Sequence, residues 1–201
     1  QQYIILGAGF DTFAFRRPEL AKQLHIFEVD HPHTQIAKRR RIAELQWAIP
    51  PQLDFIAVDF SKDNLASALK VSPYDDHKLS FFSWLGVTYY LSREAILATL
   101  HSISKISPKG SSIIFDYLDS DAFIPEKASA RVTRMQDAAR FSGEPMLTGF
   151  HPPALAADLE SAGFYLYEDL NPLNIEQRYF QDPLNSYSAF DHLHLARAVV
   201  K

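Results

Sequence analysis

The sequence predicts an α/β fold built on a doubly wound, mostly parallel sheet of seven strands. Short β-favouring runs alternate with helical segments from the first residues to Tyr117, which gives five strands. Parallel strands need long crossover connections, and helices provide these connections on both faces of a sheet. Two further β-favouring runs near the carboxyl end complete the set of seven.

The amino-terminal part of the chain contains a complete βαβ unit. The run from Tyr3 to Leu6 forms the first strand and ends at Gly7-Ala8-Gly9. Pro18 interrupts the helical segment that follows, because proline cannot donate a backbone hydrogen bond. The remaining predicted elements of this unit are a helix over 12–23, a strand over 25–30 and a helix over 32–47.

The rest of the chain repeats this alternation and then departs from it. Strands are predicted over 53–58, 79–84, 111–117, 164–167 and 192–200, and helices over 64–70, 92–106 and 153–162. Residues 118–150 break the alternation of strands and helices and include a helical segment over 127–141, so they predict a lid inserted after the fifth strand. A polar loop is predicted from Asn171 to Pro183.

Length and composition narrow the classes of function. The 201 residues suit one domain, 1–201, with a sizeable apolar core. The 20 basic and 24 acidic side chains give a net charge of -4, which argues against a nucleic-acid partner. The sequence has no cysteine and no apolar run of membrane-spanning length, so we expect a cytoplasmic protein. The chain begins without Met inside an apolar run, so we expect upstream residues to be missing.

The residues that follow each strand are the informative ones, because ligands of open α/β sheets bind beyond the carboxyl ends of the strands. Gly7 and Gly9 follow the first strand and let the backbone approach a ligand closely. Asp30 follows the second strand, where a carboxylate can accept hydrogen bonds from both ribose hydroxyls. Asp59 follows the third strand and can accept from the exocyclic amine of adenine, with Phe60 as an apolar flank.

Together these residues predict an adenosine without phosphate groups. A dinucleotide fingerprint would place a third glycine at position 12, where this chain has Thr12, so a nicotinamide or flavin cofactor is disfavoured. An adenosine without phosphates points to S-adenosylmethionine. Each signal also has a plainer interpretation, since a glycine pair can be only a tight turn and a strand-end Asp can cap a helix.

Six short motifs, taken in order, resemble the leucine carboxyl methyltransferase family, which includes many bacterial O-methyltransferases. The motifs are residues 5–12 (ILGAGFDT), 27–32 (FEVDHP), 38–41 (KRRR), 58–60 (VDF), 82–91 (FSWLGVTYYL) and 115–117 (FDY). The resemblance continues through Gly143-Glu144-Pro145 and Gly163-Phe164, and so covers nearly the whole chain. It implies a class I, Rossmann-like methyltransferase fold, with S-adenosylmethionine as cofactor and S-adenosylhomocysteine as product.

The resemblance also implies roles for individual residues. It places the two glycines along the methionine part of the cofactor, Asp30 at the ribose, and Asp59 with Phe60 around the adenine. His31, Trp84 and Leu85 complete the implied cofactor-binding set.

Two features depart from the family. Relatives usually have a glutamate where this chain has Leu85, and leucine cannot receive the cofactor's ammonium group. Losing a charge-assisted hydrogen bond costs about 1.5 to 3 kcal/mol, so either a backbone carbonyl or water takes over the contact or the cofactor binds more weakly. Relatives also carry an N-terminal helical segment with a cofactor-binding arginine, which we expect to be among the missing upstream residues.

Tyr89 and Tyr90 follow the fourth strand and are the candidate catalytic residues. One of the pair is expected to pack in the core because neighbours in the chain alternate in direction. The other, Tyr90 by resemblance, is expected to orient the acceptor oxygen with its hydroxyl. His31 and His151 are candidate bases, with loop or helix-capping roles as the alternative.

Several basic residues have both a functional and a structural interpretation. On the predicted lid helix, Arg131 and Arg134 share a face, where they either clamp a substrate carboxylate or form a solvated surface. The run 38–41 is interpreted as helix surface. His192 and His194 alternate on the last strand and are interpreted as structural, because a metal site would need a third ligand.

The leading hypothesis is an S-adenosylmethionine-dependent O-methyltransferase acting on a carboxylate or hydroxyl oxygen of a small molecule. One alternative is a protein C-terminal carboxyl methyltransferase, whose partner is a peptide carboxyl terminus. Another is a cofactor-binding module with impaired catalysis. A nicotinamide-dependent reductase fits least well.

Overall fold

A sheet of seven strands forms the centre of the computed structural model, which describes residues 1–182, 184 and 186–201. The strands are β1 (Gln2–Leu6), β2 (His25–Asp30), β3 (Leu53–Ala57), β4 (Ser80–Trp84), β5 (Ser112–Leu118), β6 (Phe164–Leu170) and β7 (Leu193–Val200). Their order across the sheet is β3-β2-β1-β4-β5-β7-β6. Strands β1 to β5 pair in parallel and β7 runs antiparallel to β5 and β6. The predicted doubly wound, mostly parallel sheet is therefore confirmed.

Helices fill the connections between the strands. They are α1 (Phe13–Arg16), α2 (Pro18–Ala21), α3 (Pro32–Glu44), α4 (Leu65–Lys70), α5 (Arg93–Ile106), α6 (Ala130–Phe141), α7 (Pro152–Ser161) and α8 (Pro172–Tyr179). Pro18 is the first residue of α2, so it divides the helical segment predicted over 12–23. The side chains of Ser92 and Ser129 accept backbone N–H hydrogen bonds and thereby start α5 and α6.

Apolar side chains cover both faces of the sheet. On one face, α4, α5 and α7 pack their leucines and isoleucines against a cluster that includes Phe82 and Phe115. On the other face, Ala14 of α1 and Ala21 of α2 pack with Ile26. Burying a large apolar side chain contributes about 1.5–3 kcal/mol, so this two-sided core holds the strand ends that carry the site.

Helix α8 occupies the segment that was predicted as a polar loop, and that prediction was wrong. The side chain of Asn171 accepts a hydrogen bond from the Asn174 N–H at 2.9 Å and caps the helix, and Ile175 is buried. The guanidinium of Arg178 donates to both carboxylate oxygens of Glu168 on β6, at 3.0 and 2.8 Å. The helix depends on contacts with β6 that its polar composition does not reveal. Pro183, where the predicted loop ends, lies outside the described residues.

Lys38 corrects the prediction that the basic run 38–41 lies entirely on the surface. Arg39, Arg40 and Arg41 are exposed, but the Lys38 side chain is only 4% exposed. Its ammonium pairs with the carboxylate of Glu28 on β2, which is 1% exposed. The long lysine side chain reaches beneath α3. Lys38 therefore connects the helix to the sheet, although the basic run 38–41 in which it lies is typical of a helix surface.

The segment predicted as a lid, residues 118–150, leaves the sheet and returns to it at the same place. The N–H of Phe150 donates to the carbonyl of Leu118 at 2.9 Å, and the N–H of Ser120 donates to the carbonyl of Phe150 at 2.9 Å. Between these points lie a 3-10 turn (Ser120–Phe123) and α6. The interpretation of this segment as a lid stays a prediction.

Among the helices that the structure describes, none combines the length and the apolar character needed to cross a membrane.

Candidate functional site

A crevice opens at the carboxyl ends of β1 and β4, where the order of strands reverses. A cavity of about 720 Å³ lies there, within the range of roughly 300–1,000 Å³ that is usual for small-molecule sites. Its wall comes from the residues after β1 to β4 and from the lid segment. The lining residues are Gly7, Asp30, His31, His33, Thr34, Val58, Asp59, Phe60, Gly86, Val87, Tyr90, Leu91, Gly143, Glu144, Pro145 and Leu147.

The turn after β1 is held by Asp30. Gly7 and Gly9 have φ angles of 67° and 46°, which glycine adopts without strain. The Asp30 carboxylate accepts hydrogen bonds from the N–H groups of Gly9 and His31, the latter at 2.6 Å. A Cβ atom on Gly7 would lie 2.2 Å from Cγ2 of Val87, so a larger residue there would collide with the wall. Gly7 lines the cavity, whereas Gly9 is not among the described lining residues.

The Asp30 carboxylate keeps capacity for a ligand. An ionised carboxylate offers about four lone-pair sites, and the two backbone N–H groups use two of them. The residue is part of the cavity wall. Its predicted contact with a ribose therefore stays open as a proposal.

Asp59 is held by its own loop. One carboxylate oxygen accepts from the Ser61 hydroxyl at 2.5 Å and from the Ser61 N–H at 3.0 Å, and the other accepts from Nζ of Lys62 at 3.0 Å. The hydrogen bond from the Ser61 hydroxyl, followed by that from Lys62, lowers the pKa of Asp59 to about 2. The carboxylate is thus ionised and fixed at the cavity wall, so it can accept a further hydrogen bond without moving.

The predicted aromatic contacts divide between the wall and the core. Phe60 lines the cavity, and its ring centroid lies 5.7 Å from that of Trp84. Trp84 is 0% exposed and lies within the core, so it supports Phe60 and does not reach the cavity surface. Leu85 is 49% exposed and is not among the described residues that line the cavity. The structure therefore does not bring Trp84 or Leu85 to the predicted cofactor site.

The tyrosine pair sits on a 3-10 turn, Thr88–Tyr90, directly after β4. Tyr90 lines the cavity, while Tyr89 packs against the apolar cluster beneath the lid segment. Their ring centroids are 4.8 Å apart. Burial raises the pKa of Tyr90, and the nearby charges of Glu144 and Asp116 raise it further. The Tyr90 hydroxyl is consequently protonated at neutral pH.

Asp116 supports the site without being among the described residues that line the cavity, and sequence reasoning missed it. It lies within β5, two residues before the strand ends, is 7% exposed, and accepts a hydrogen bond from the Gly86 N–H at 2.8 Å. Its backbone carbonyl accepts from the Thr88 hydroxyl at 2.5 Å. These two contacts fasten the turn that carries both tyrosines. The only signal in the sequence was its place in the FDY motif, to which no role was attached.

The lid segment contributes a strap, residues 143–148, to the cavity wall. Gly143, Glu144, Pro145 and Leu147 of the strap line the cavity. Sequence reasoning missed these residues, although Gly143-Glu144-Pro145 had been noted as part of the family resemblance. Which face of the lid segment meets the cavity depends on its packing, so no local pattern could identify them.

The three residues predicted to contact substrate do not reach the cavity. The guanidinium of Arg131 donates to the carbonyl of Ala189 at 2.9 Å and stacks over the ring of Phe190 at 4.5 Å. Arg134 is exposed on α6. His151 is exposed at the start of α7 and makes no side-chain capping bond. Because Arg131 is bound to the segment before β7, the predicted guanidinium clamp is not formed here.

His31 combines a capping role with a place in the cavity wall. Its Nδ1 accepts the His33 N–H at 3.3 Å at the start of α3, as the alternative interpretation expected. Its Nε2 lies 3.7 Å from a carboxylate oxygen of Asp59. The ring thus joins the loops after β2 and β3 at the cavity edge.

His192 and His194 belong to a polar network beside β7. Nδ1 of His192 lies 3.0 Å from Oδ1 of Asp119, and the ring of His194 stacks on that of Tyr117 with centroids 4.8 Å apart. The N–H of Ser129 donates to Nε2 of His192 at 3.2 Å, which ties the start of α6 to the sheet. Within the described part of the chain, no group of three or more His, Cys, Asp or Glu side chains could hold a metal ion.

The chemistry of the cavity wall fits a cationic adenosine derivative without phosphates. Of the described residues that line the cavity, none is Lys or Arg, the usual side-chain partners of phosphate. Three are carboxylic acids, namely Asp30, Asp59 and Glu144. A Cβ on Gly86 would meet nothing nearer than the Tyr89 hydroxyl at 3.8 Å, so the glycine leaves room for a ligand at the wall.

Comparison with known proteins decides the family. The family model described as leucine carboxyl methyltransferase matches residues 1–104, which include β1 to β4 and most of α5. The chain belongs to the leucine carboxyl methyltransferase family. The resemblance found in the sequence motifs is thereby confirmed.

Relatives in this family agree on the cofactor. The chain is 41% identical over 201 residues to YktD of Bacillus subtilis, which is named as an S-adenosyl-L-methionine-dependent methyltransferase. It is 30% identical over 137 residues, 68% of the chain, to a protein of Mycolicibacterium paratuberculosis with the same kind of name. The cofactor of the leucine carboxyl methyltransferase family to which this chain belongs is S-adenosylmethionine, as predicted.

Solved structures agree on the fold. An O-methyltransferase family protein from Burkholderia thailandensis superimposes on the whole chain with a TM-score of 0.65 at 13% identity. The class I methyltransferase fold is therefore confirmed. The chain spans 66% of the length of YktD, 50% of the M. paratuberculosis protein and 51% of the B. thailandensis chain.

Proposed function

We propose that the protein transfers a methyl group from S-adenosylmethionine to a carboxylate or hydroxyl oxygen of a small molecule. The observation that carries the proposal is that Tyr90 lines the same cavity as Asp30 and Asp59. A protonated phenol hydroxyl thus lies in one cavity with the carboxylates that suit ribose and adenine. The family description, and the name of the Burkholderia protein as an O-methyltransferase family member, support oxygen as the acceptor atom.

The strand-end residues have defined tasks in this proposal. Asp30 would hold the ribose, Asp59 and Phe60 would surround the adenine, and Gly7 would let the methionine part lie against bare backbone. When bound, S-adenosylmethionine supplies a methyl group on a sulfonium, which the acceptor must approach in line with the breaking bond. Positioning then provides most of the rate, so fixed loops matter more than a reactive side chain.

Tyr90 has the task of orienting the acceptor. Because its pKa is raised by burial, its hydroxyl keeps its proton at neutral pH and donates a hydrogen bond. It therefore does not serve as a base. A carboxylate acceptor is already ionised at neutral pH and needs no base, whereas an aliphatic hydroxyl would need one. The donor character of Tyr90 favours a carboxylate among the possible acceptors.

A peptide carboxyl terminus is the second candidate acceptor. The description of the family model, leucine carboxyl methyltransferase, is the specific observation in its favour. Both acceptors would present a carboxylate to Tyr90, so they differ in what the lid segment admits and not in the chemistry of transfer.

The test is transfer of a labelled methyl group from S-adenosylmethionine to small carboxylic acids, phenols and a peptide with a free carboxyl terminus. We expect label in a small acid, released as methanol by mild alkali because methyl esters are base-labile and methyl ethers are not. Asp30→Ala should abolish transfer, and Tyr90→Phe should slow it about tenfold by removing one hydrogen bond to a charged group. Tyr165→Phe, at an exposed position of β6, is the matched control.

Three results would count against the proposal. They are label on nitrogen or carbon, label only in the peptide, and transfer that is unaffected by Asp30→Ala.

A further inference from the structure

Glu144 of the strap is one of the three acidic residues that line the cavity. The other two lining acids are engaged, since Asp30 accepts two backbone N–H groups and Asp59 is held by Ser61 and Lys62. Within the described residues, no side chain donates a hydrogen bond to the Glu144 carboxylate or forms an ion pair with it. An acid that faces a ligand cavity with its full accepting capacity free suits a cationic ligand group.

The strap holds Glu144 in place at both ends. At the α6 end, the N–H of Glu144 donates to the carbonyl of Ala139 at 2.9 Å. At the other end, the N–H of Leu147 donates to the carbonyl of Tyr89 at 2.7 Å, and the hydroxyl of Thr148 donates to the carbonyl of Leu91 at 2.6 Å. The strap therefore spans from α6 to the tyrosine turn, and Glu144 is carried on a fastened segment.

Glu144 and Tyr90 line the same cavity, and the strap that carries Glu144 is hydrogen-bonded to the carbonyl of Tyr89. After burial, the charge of Glu144 is the largest cause of the raised pKa of Tyr90, ahead of Asp116. Glu144 therefore shares the cavity wall with the residue that would face the reacting end of the cofactor. Tyr90 shares this part of the wall with Gly86 and Val87, which follow β4.

We propose that Glu144 binds the ammonium group of the methionine part of S-adenosylmethionine. This assignment rests on the proposed function, because it assumes that the cavity holds the cofactor. An ammonium group offers three N–H donors, whereas a sulfonium has none, so a carboxylate can hydrogen-bond only the former. The ammonium group is retained in S-adenosylhomocysteine, so the contact should form with the product as well.

The test compares two ligands that differ in the amino-acid part. S-adenosylhomocysteine has the ammonium group, and 5′-methylthioadenosine has the same adenosine and thioether without it. In calorimetric titrations, S-adenosylhomocysteine should bind Glu144→Gln about tenfold more weakly than it binds the unmodified chain. This is the effect expected from losing one charge-assisted hydrogen bond. The affinity for 5′-methylthioadenosine should be unchanged. Asp30→Ala should weaken both ligands.

The matched control is Glu126→Gln, which removes the same charge from an exposed position of the lid segment outside the cavity wall. It should leave both affinities unchanged. The assignment is overturned if Glu144→Gln leaves S-adenosylhomocysteine binding intact or weakens both ligands equally. If neither ligand binds the unmodified chain, the proposed function is overturned and the assignment with it.

Discussion

Asp116 shows how the surroundings of a single residue change its chemistry. Burial raises the pKa of its carboxyl from 3.8 to about 6, although the hydrogen bond from the Gly86 N–H favours the ionised form. Asp116 has a structural role despite this cost, because its side chain accepts a hydrogen bond from Gly86 and its backbone carbonyl accepts one from Thr88. The turn that carries the tyrosines is therefore tied to an acid that is costly to ionise.

The first prediction concerns the pH dependence of stability. The folded state binds the Asp116 proton more tightly than the unfolded state, so this contribution to stability is present below pH 4 and is lost as pH rises to about 6. Asp116→Asn cannot titrate. Its free energy of unfolding, relative to the unmodified chain, should therefore rise between pH 4 and pH 7 by up to about 3 kcal/mol.

Urea unfolding at several pH values measures this difference. Asp191→Asn removes a charge from an exposed position, and its free energy of unfolding should vary with pH in the same way as that of the unmodified chain. If the free energy of unfolding of Asp116→Asn also varied with pH as that of the unmodified chain does, the Asp116 carboxyl would have a normal pKa in the folded protein.

At the scale of elements, β2 and α3 are joined by a buried ion pair. Lys38 and Glu28 lie within the interface, and burial raises the pKa of Glu28 above its usual range while Lys38 opposes the rise. Gln35 adds two hydrogen bonds, to the carbonyls of Glu28 at 2.7 Å and Ile56 at 2.8 Å. These contacts between α3 and β2 position the end of β2, which carries the cavity-lining residue Asp30.

The second prediction is that Lys38→Met destabilises the protein by about 3–5 kcal/mol at pH 8, because it leaves a buried carboxylate unpaired. The loss should shrink toward pH 5, where the Glu28 carboxyl takes up a proton and no charge remains buried. Thermal and urea unfolding measure both effects.

The double variant Glu28→Gln/Lys38→Met is the control for this experiment. It should recover most of the stability at pH 8, because neither charge is then buried. Equal losses for the single and double variants would mean that the packing of the lysine stem matters and its charge does not.

At the scale of the whole molecule, the cavity joins segments that are far apart in the chain. Its wall combines the loops after β1 to β4 with the strap of the lid segment. A ligand that fills the cavity must therefore stabilise the sheet and the lid segment together.

The third prediction is that S-adenosylhomocysteine raises the melting temperature of the chain. At about 100 times its Kd, a ligand that binds only the folded state adds about 2.7 kcal/mol to stability. NADH should give no shift, because none of the described residues that line the cavity is a Lys or Arg that could receive its phosphates. A shift with NADH and none with S-adenosylhomocysteine, measured by scanning calorimetry, would contradict the cofactor assignment.

The sequence by itself determined the order of the strands and of every helix except α8, the family and the cofactor. It also identified the strand-end residues Gly7, Asp30, Asp59 and Phe60, which the structure brings to the cavity. These features depend on local propensity, helix caps and motif spacing, which are readable along the chain. Tertiary structure alone decided that Trp84 lies in the core, that Arg131 binds elsewhere, that Glu144 lines the cavity and that Asp116 holds the tyrosine turn. The physical reason is that burial and pairing depend on which distant segments meet, and no local pattern records that.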